Sequence, residues 1–192
     1  MAPDAQPESQ LVKAIYNVLM PNKTIDEKDL TIPEKYGYIF DGYWDEDNNV
    51  QYYKADMSSD KKWDKVADKF NLTAHWKPKT SIVNLNGNGG SPEIQVISAI
   101  FDNDMPNTTS KGEALVTPTL KGYNFDGYWD DNTNTQYYGS DMSSIHHWDK
   151  ADESFTLQAH WNAKTTKVTL YAYVGNPEVQ VVEATYGMEM PT

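Results

Sequence analysis

The sequence predicts an α+β fold that is mostly β, laid out as tandem repeats of 85 residues with little helix. Three observations carry this prediction. A long motif returns 85 positions downstream, apolar and polar residues alternate with period two in several segments, and clusters of Gly, Asn and Asp bound those segments.

The repeat sets the register for every element. Gly37-Tyr38-Ile39-Phe40-Asp41-Gly42-Tyr43-Trp44-Asp45 returns as Gly122-Tyr123-Asn124-Phe125-Asp126-Gly127-Tyr128-Trp129-Asp130. The same offset relates Gln51-Tyr52-Tyr53 to Gln136-Tyr137-Tyr138, Trp63-Asp64-Lys65 to Trp148-Asp149-Lys150, and Ala74-His75-Trp76 to Ala159-His160-Trp161. A third copy begins near the end, because Pro177-Glu178 and Met190-Pro191 match Pro92-Glu93 and Met105-Pro106. The expected division is residues 1–79 (a repeat without its opening strand), 80–164 (a complete repeat) and 165–192 (an opening strand pair). That phase suggests a piece of a longer array.

Within a repeat, Val83-Asn84-Leu85 and its copy Val168-Thr169-Leu170 read as the opening strand. Asn86-Gly87-Asn88-Gly89-Gly90 turns the chain into a second strand, where Ile97, Ala99 and Phe101 match Val12, Ala14 and Tyr16, then Val182, Ala184 and Tyr186. One helical turn is expected near Asp26 to Leu30. In the motif strand, Tyr38, Phe40, Gly42 and Trp44 are expected on one face. The segment Asp45 to Asn49 turns into Gln51-Tyr52-Tyr53. Asp56 and Asp141 are expected to cap a second helical turn. The closing strand alternates cleanly: Phe70, Leu72, Ala74 and Trp76 inward, Asn71, Thr73 and His75 outward. Lys77 to Thr80 and Asn162 to Thr165 read as polar connectors between repeats.

Composition narrows the function. With 16 basic against 28 acidic side chains the formal charge is -12, which argues against nucleic acid and against anionic membrane surfaces. The absence of cysteine excludes disulfides, thiolate metal sites and cysteine nucleophiles. No apolar run is long enough to span a bilayer. Mean hydropathy is -0.71, yet aromatics reach 12%, so the chain is folded and polar with small, ring-rich cores.

The order Gly-Tyr-x-Phe-Asp-Gly-Tyr-Trp, then Tyr-Tyr, then Leu-x-Ala-His-Trp resembles the Listeria–Bacteroides repeat, the internalin B-repeat-like family of bacterial surface proteins. The family pattern carries Trp-Tyr where this chain has Tyr43-Trp44 and Tyr128-Trp129. The resemblance spans essentially the whole chain. It implies a β-grasp-like fold strung in tandem on secreted or wall-attached proteins, often adhesins, and therefore an extracellular or cell-surface location.

Candidate chemistry is sparse. His75 and His160 recur on outward strand faces, where solvated histidines are the plain expectation, and His146-His147 replaces Lys61-Lys62. No three or four ligands converge for zinc. The oxygen-rich turns Asp45 to Asn49 and Asp130 to Asn134 suit a hairpin better than a calcium loop. Lys65, Lys150, Asn22 and Asn107 recur and are the residue types of a Lys–Asn isopeptide. No paired carboxylates across a cleft, triad or phosphate cradle stands out, so no enzyme, cofactor or metal is expected. The aromatics are the more informative set: Tyr43, Tyr53, Trp63 and their copies Tyr128, Tyr138, Trp148 are candidate ligand contacts, because exposed rings stack on sugars or anchor protein partners. Two adjacent tyrosines on one strand cannot both point inward, so one of each pair is expected exposed or covered by the segment that follows. The leading expectation is a stalk or spacer whose partners are neighbouring repeats; the alternative is a module binding host glycan or protein. The unpaired edges of the third copy add strand-mediated self-association.

Overall fold

The computed structural model describes residues 5–191. They fall into two compact units. The first holds the described residues up to Thr80 together with Asp149–Ala151; the second holds Ser81–Trp148 and the described residues from Asp152 onward.

In the first unit, β1 (Tyr38–Asp45), β2 (Val50–Lys54) and β3 (Thr73–Pro78) form a sheet of order β2-β1-β3, antiparallel throughout. The β1–β2 turn is built by its own carboxylate: Asp45 accepts hydrogen bonds from Asn48 N at 3.4 Å and Asn48 Nδ2 at 2.7 Å, and Asn49 takes φ +52°.

A bulge at Gly42 decides which side chains of β1 reach the core. Opposite β3, Phe40 faces Trp76 while Gly42 faces His75, so one residue is skipped. Gly42 has φ +130°, and a Cβ there would lie 2.3 Å from the carbonyl oxygen of Tyr53. The skip corrects the expected alternation. Phe40 shares its face with Tyr43, ring centroids 5.1 Å apart, and Trp44 passes to the opposite face, stacked on His75 at 5.0 Å and 10°. Trp44 is thus not a core residue. Gly127 repeats the device at φ +133°, and Trp129 stacks on His160 at 5.1 Å.

The second unit contains a five-stranded sheet. Its strands are β4 (Thr80–Asn86), β5 (Ile94–Ile100), β6 (Tyr123–Asp130), β7 (Thr135–Tyr138) and β8 (Ser154–Ala163), in the order β5-β4-β8-β6-β7. The centre of the sheet is a parallel pair in which Val83 lies beside Phe155 and Leu85 beside Leu157. Alternate residues of these strands, Val83, Leu85, Ile97, Ala99, Leu157 and Ala159, are fully buried against Tyr128, Tyr137, Tyr138 and Trp148. The indole N–H of buried Trp148 donates to Ser81 Oγ at 3.0 Å, and that hydroxyl donates to the Asp152 carbonyl at 2.6 Å. The start of the third copy adds a separate antiparallel hairpin, β9 (Thr165–Tyr171) and β10 (Val179–Thr185).

Five further expectations are corrected. The fold is all-β rather than α+β: no helix occurs among the described residues. Asp56 and Asp141 build Asx turns instead of helix caps, accepting from Ser58 N and Ser143 N, each at 2.9 Å, with Met57 and Met142 at positive φ. Around Asp26 a tight turn closes on Thr24 and Lys28. The connectors are strand too. Pro78 pairs with Tyr38 and Ala163 with Tyr123, which leaves one residue, Lys79 or Lys164, between a closing strand and the next opening strand. Lastly, Leu11 to Tyr16 is not a strand, although its copy in the second unit is β5.

Candidate functional site

The two units carry nearly the same residues but do not close equally. In the second, β8 is ten residues long and lies between β4 and β6. In the first, the matching strand β3 is six residues long and pairs only with β1 among the described residues. Among the described residues no strand lies beside Lys69-Phe70-Asn71-Leu72, which match the paired Ser154 to Leu157, and they form no ladder.

The space that Val83 and Leu85 fill in the second unit corresponds to a cavity of about 670 Å³ in the first. Its walls include Val12, Tyr43, Tyr53, Trp63, Phe70 and Leu72. These are the counterparts of Ile97, Tyr128, Tyr138, Trp148, Phe155 and Leu157 of the closed core. The wall is stiffened by ring contacts, Tyr43 to Tyr53 at 6.3 Å and Trp63 to Phe70 at 5.4 Å, both edge-to-face. The Tyr53 hydroxyl donates to the Pro21 carbonyl at 2.7 Å, and burial pushes its pKa up to about 12. It is a fixed neutral donor and not a titrating group near neutral pH.

The six candidate ligand-contact aromatics therefore divide. Tyr128, Tyr138 and Trp148 have no exposed surface. Their rings serve the core. Tyr53 and Trp63 are buried and Tyr43 is half-buried, but all three line the cavity. Both tyrosines of each pair are internal because the following segment covers the first. The Tyr52 hydroxyl donates to Asp64, and its ring lies 5.3 Å from that of Trp63.

The remaining candidates are engaged in structure. His75 Nε2 lies 2.7 Å from Glu46 and His160 Nε2 lies 2.7 Å from Asp131, each ring stacked on its tryptophan. Sequence reasoning missed these Trp–His–carboxylate stacks. Their signal was the Gly42 and Gly127 bulge, which turns Trp44 and Trp129 toward the histidine face. Asp130 accepts from Asn132 N at 3.0 Å and Thr133 Oγ1 at 2.7 Å, so its carboxylate, like that of Asp45, shapes its own turn. The Lys65 ammonium meets carboxylates, Asp45 at 2.8 Å and Asp64 at 3.5 Å. Among the described residues no three His, Cys, Asp or Glu side chains converge as a metal site, and no helix is long and apolar enough to cross a membrane.

Compared with family models, with curated proteins and with solved structures, the chain has no match.

Proposed function

We propose that the chain is a run of non-catalytic, β-grasp-like structural repeats that act as a stalk or spacer in a bacterial cell-surface protein. The observation that carries the reading is the tie between successive repeats. A single residue separates each closing strand from the next opening strand, and its backbone N–H is hydrogen-bonded to the motif glycine, Lys79 to the Gly37 carbonyl and Lys164 to the Gly122 carbonyl, each at 2.9 Å. So short a tie leaves little slack, as a spacer requires. The sheet order β5-β4-β8-β6-β7, with its parallel centre, supports the β-grasp-like part of the reading, with irregular crossovers where that fold carries a helix. The acidic surface keeps a tandem array soluble and self-repelling. The alternative of ring-mediated ligand binding loses support, because the second unit turns its candidate rings inward.

The test is length. Chains carrying one to four copies of residues 80–164 are measured by small-angle X-ray scattering. A spacer gains roughly 30 Å of maximum dimension per copy, the diameter of a domain of this size. Growth with the cube root of mass would mean that the copies cluster, and the spacer reading would fall.

A further inference from the structure

We infer that the second unit bears tension: its parallel β4–β8 pair is a shear clamp that holds against a pull along the chain. The inference goes beyond the spacer reading and does not depend on it, since length at rest and strength under load are separate properties.

The topology sets how a pull is felt. The chain enters the five-stranded sheet at the start of β4, Thr80, and leaves it at the end of β8, Ala163. The two strands are neighbours and run in the same direction, from Ile82 beside Ser154 to Asn86 beside Gln158. A pull on both ends therefore draws β4 toward its start and β8 toward its end. The opposed forces lie along the strands, and the ladder between them is strained over its whole length at once. In an antiparallel pair, entry and exit would lie at one end, and the same pull would open the hydrogen bonds one after another.

The pair is fastened at both ends. At the entry end, Ile82 N donates to the Glu153 carbonyl at 2.9 Å. Beside it, the buried Ser81 hydroxyl donates to the Asp152 carbonyl at 2.6 Å and accepts the Trp148 indole N–H at 3.0 Å. Past the far end of β4, Asn88 Nδ2 donates to the Ala159 carbonyl at 3.0 Å, and the Trp161 indole N–H donates to the Gly87 carbonyl at 3.1 Å. Between these ties Val83, Leu85, Leu157 and Ala159 have no exposed surface. Sliding one strand past the other drags these side chains out of a closed core. The rest of β8 is held from its other side, where Trp129 lies beside Gln158 and Tyr123 beside Ala163.

Force reaches the clamp with little slack. Lys79 alone precedes β4 and Lys164 alone follows β8, and the backbone N–H of each is tied to a motif glycine at 2.9 Å. β8 is ten residues long and spans about 33 Å, so the load line runs along one continuous strand. The edge strands β5 and β7 lie off that line, and the strands that pass tension through the unit are the central ones.

The experiment is single-molecule force spectroscopy on the full chain. Because the sequence has no cysteine, two introduced thiols, kept reduced until coupled to handles, define the pulling points. Thr80→Cys with Lys164→Cys loads the pair in shear. Thr80→Cys with Glu153→Cys pulls on neighbouring ends and peels it. All three positions are exposed. At one pulling speed the shear variant is expected to rupture at a force at least about twice that of the peel variant, because its hydrogen bonds break together and not in turn. It is also expected to release the chain between its handles in a single step of about 260 Å, the extended length less the folded span. A shear force equal to or below the peel force overturns the inference. So does a shear trace that lengthens in several short steps, as it would if strands peeled away successively. If circular dichroism shows the peel variant unfolded, the step pattern of the shear variant decides alone. None of these failures touches the growth in length with copy number, so the spacer reading stands or falls on scattering.

Discussion

Lys65 and Asp45 show how a single ion pair organises one end of the first unit. Asp45 is 1% exposed and spans two tasks, closing the β1–β2 turn through Asn48 and accepting the Lys65 ammonium. The Lys65 bond, then the Asn48 bond, hold its carboxyl below the usual carboxylate range; the bond to Asp45 is the main cause that raises Lys65. The signs define a window. A depressed carboxylate contributes stability above its unfolded pKa, near about 4, and loses it as pH falls through the folded value. A raised ammonium contributes fully below about 10.4 and loses its share as pH rises through its folded value. Lys65→Met keeps much of the aliphatic packing on Tyr52 and Phe70 but removes the charge. We expect the acid-unfolding midpoint, followed by tryptophan fluorescence between about pH 2 and pH 7, to move to higher pH. An unmoved midpoint would assign the acid response to other carboxylates. The bulge glycines act through space and not charge. A Cβ at Gly127 would lie 2.2 Å from the Tyr138 carbonyl oxygen and 2.3 Å from Gln136 Nε2, whose amide bridges the bulge to the Asp126 carbonyl at 2.8 Å. Gly127→Ala should therefore cost more than about 2 kcal/mol in denaturant unfolding. A cost below about 0.5 kcal/mol would mean that the bulge relaxes freely.

The same segment in two settings separates what local sequence determines from what pairing determines. Phe155-Thr156-Leu157 is strand and Phe70-Asn71-Leu72 is not, although the apolar pattern is identical. Likewise Ile94–Ile100 is β5, while its copy around Val12 and Ala14 forms no ladder. Period two was legible in the sequence, as were the repeat register, the hairpin turn and the inward set of the closing strand. Whether a strand forms depends on a neighbour to take its hydrogen bonds, and that is a property of the sheet. The Gly42 bulge had a visible mark, a glycine inside an aromatic strand, but two-fold alternation alone carried Trp44 to the wrong face. The expected helical turns failed for a related reason: Asp followed by Met-Ser-Ser caps a turn as readily as a helix, and nothing downstream propagates one. The six candidate aromatics were legible as a set but not by exposure, because Trp63 and Trp148, which cover Tyr52 and Tyr137, lie in segments with no strand pattern of their own. Native-state hydrogen exchange should read this asymmetry directly. Amides of Phe70 to Leu72 and Leu11 to Ala14 in dilute monomer are expected to exchange at least about 100-fold faster than those of Phe155 to Leu157 and Gln95 to Ala99, a gap near 2.7 kcal/mol in opening free energy. Equal protection would mean that the first unit closes its sheet by another route.

At the level of the whole molecule, two units share a sequence design but not a degree of completion. The second unit buries a continuous core from five strands, whereas the first keeps three strands and a cavity of about 670 Å³ lined by rings that its counterpart seals. Apolar area removed from water is the main source of folding stability, and an unfilled space forfeits both that area and the dispersion contacts around it. The closed unit has the advantage in both respects. Its parallel centre is formed, and its core tryptophan has a buried acceptor in Ser81. The chain should therefore unfold in two steps in dilute solution, the first unit before the second. The first step should show the smaller dependence on denaturant, since it exposes less surface. Urea unfolding of single-tryptophan probes distinguishes the steps: Trp63 reports the first unit and Trp148 the second, once the other tryptophans are replaced by Phe. If the two probes report one coincident transition, the two units unfold together and the difference between them is one of shape alone.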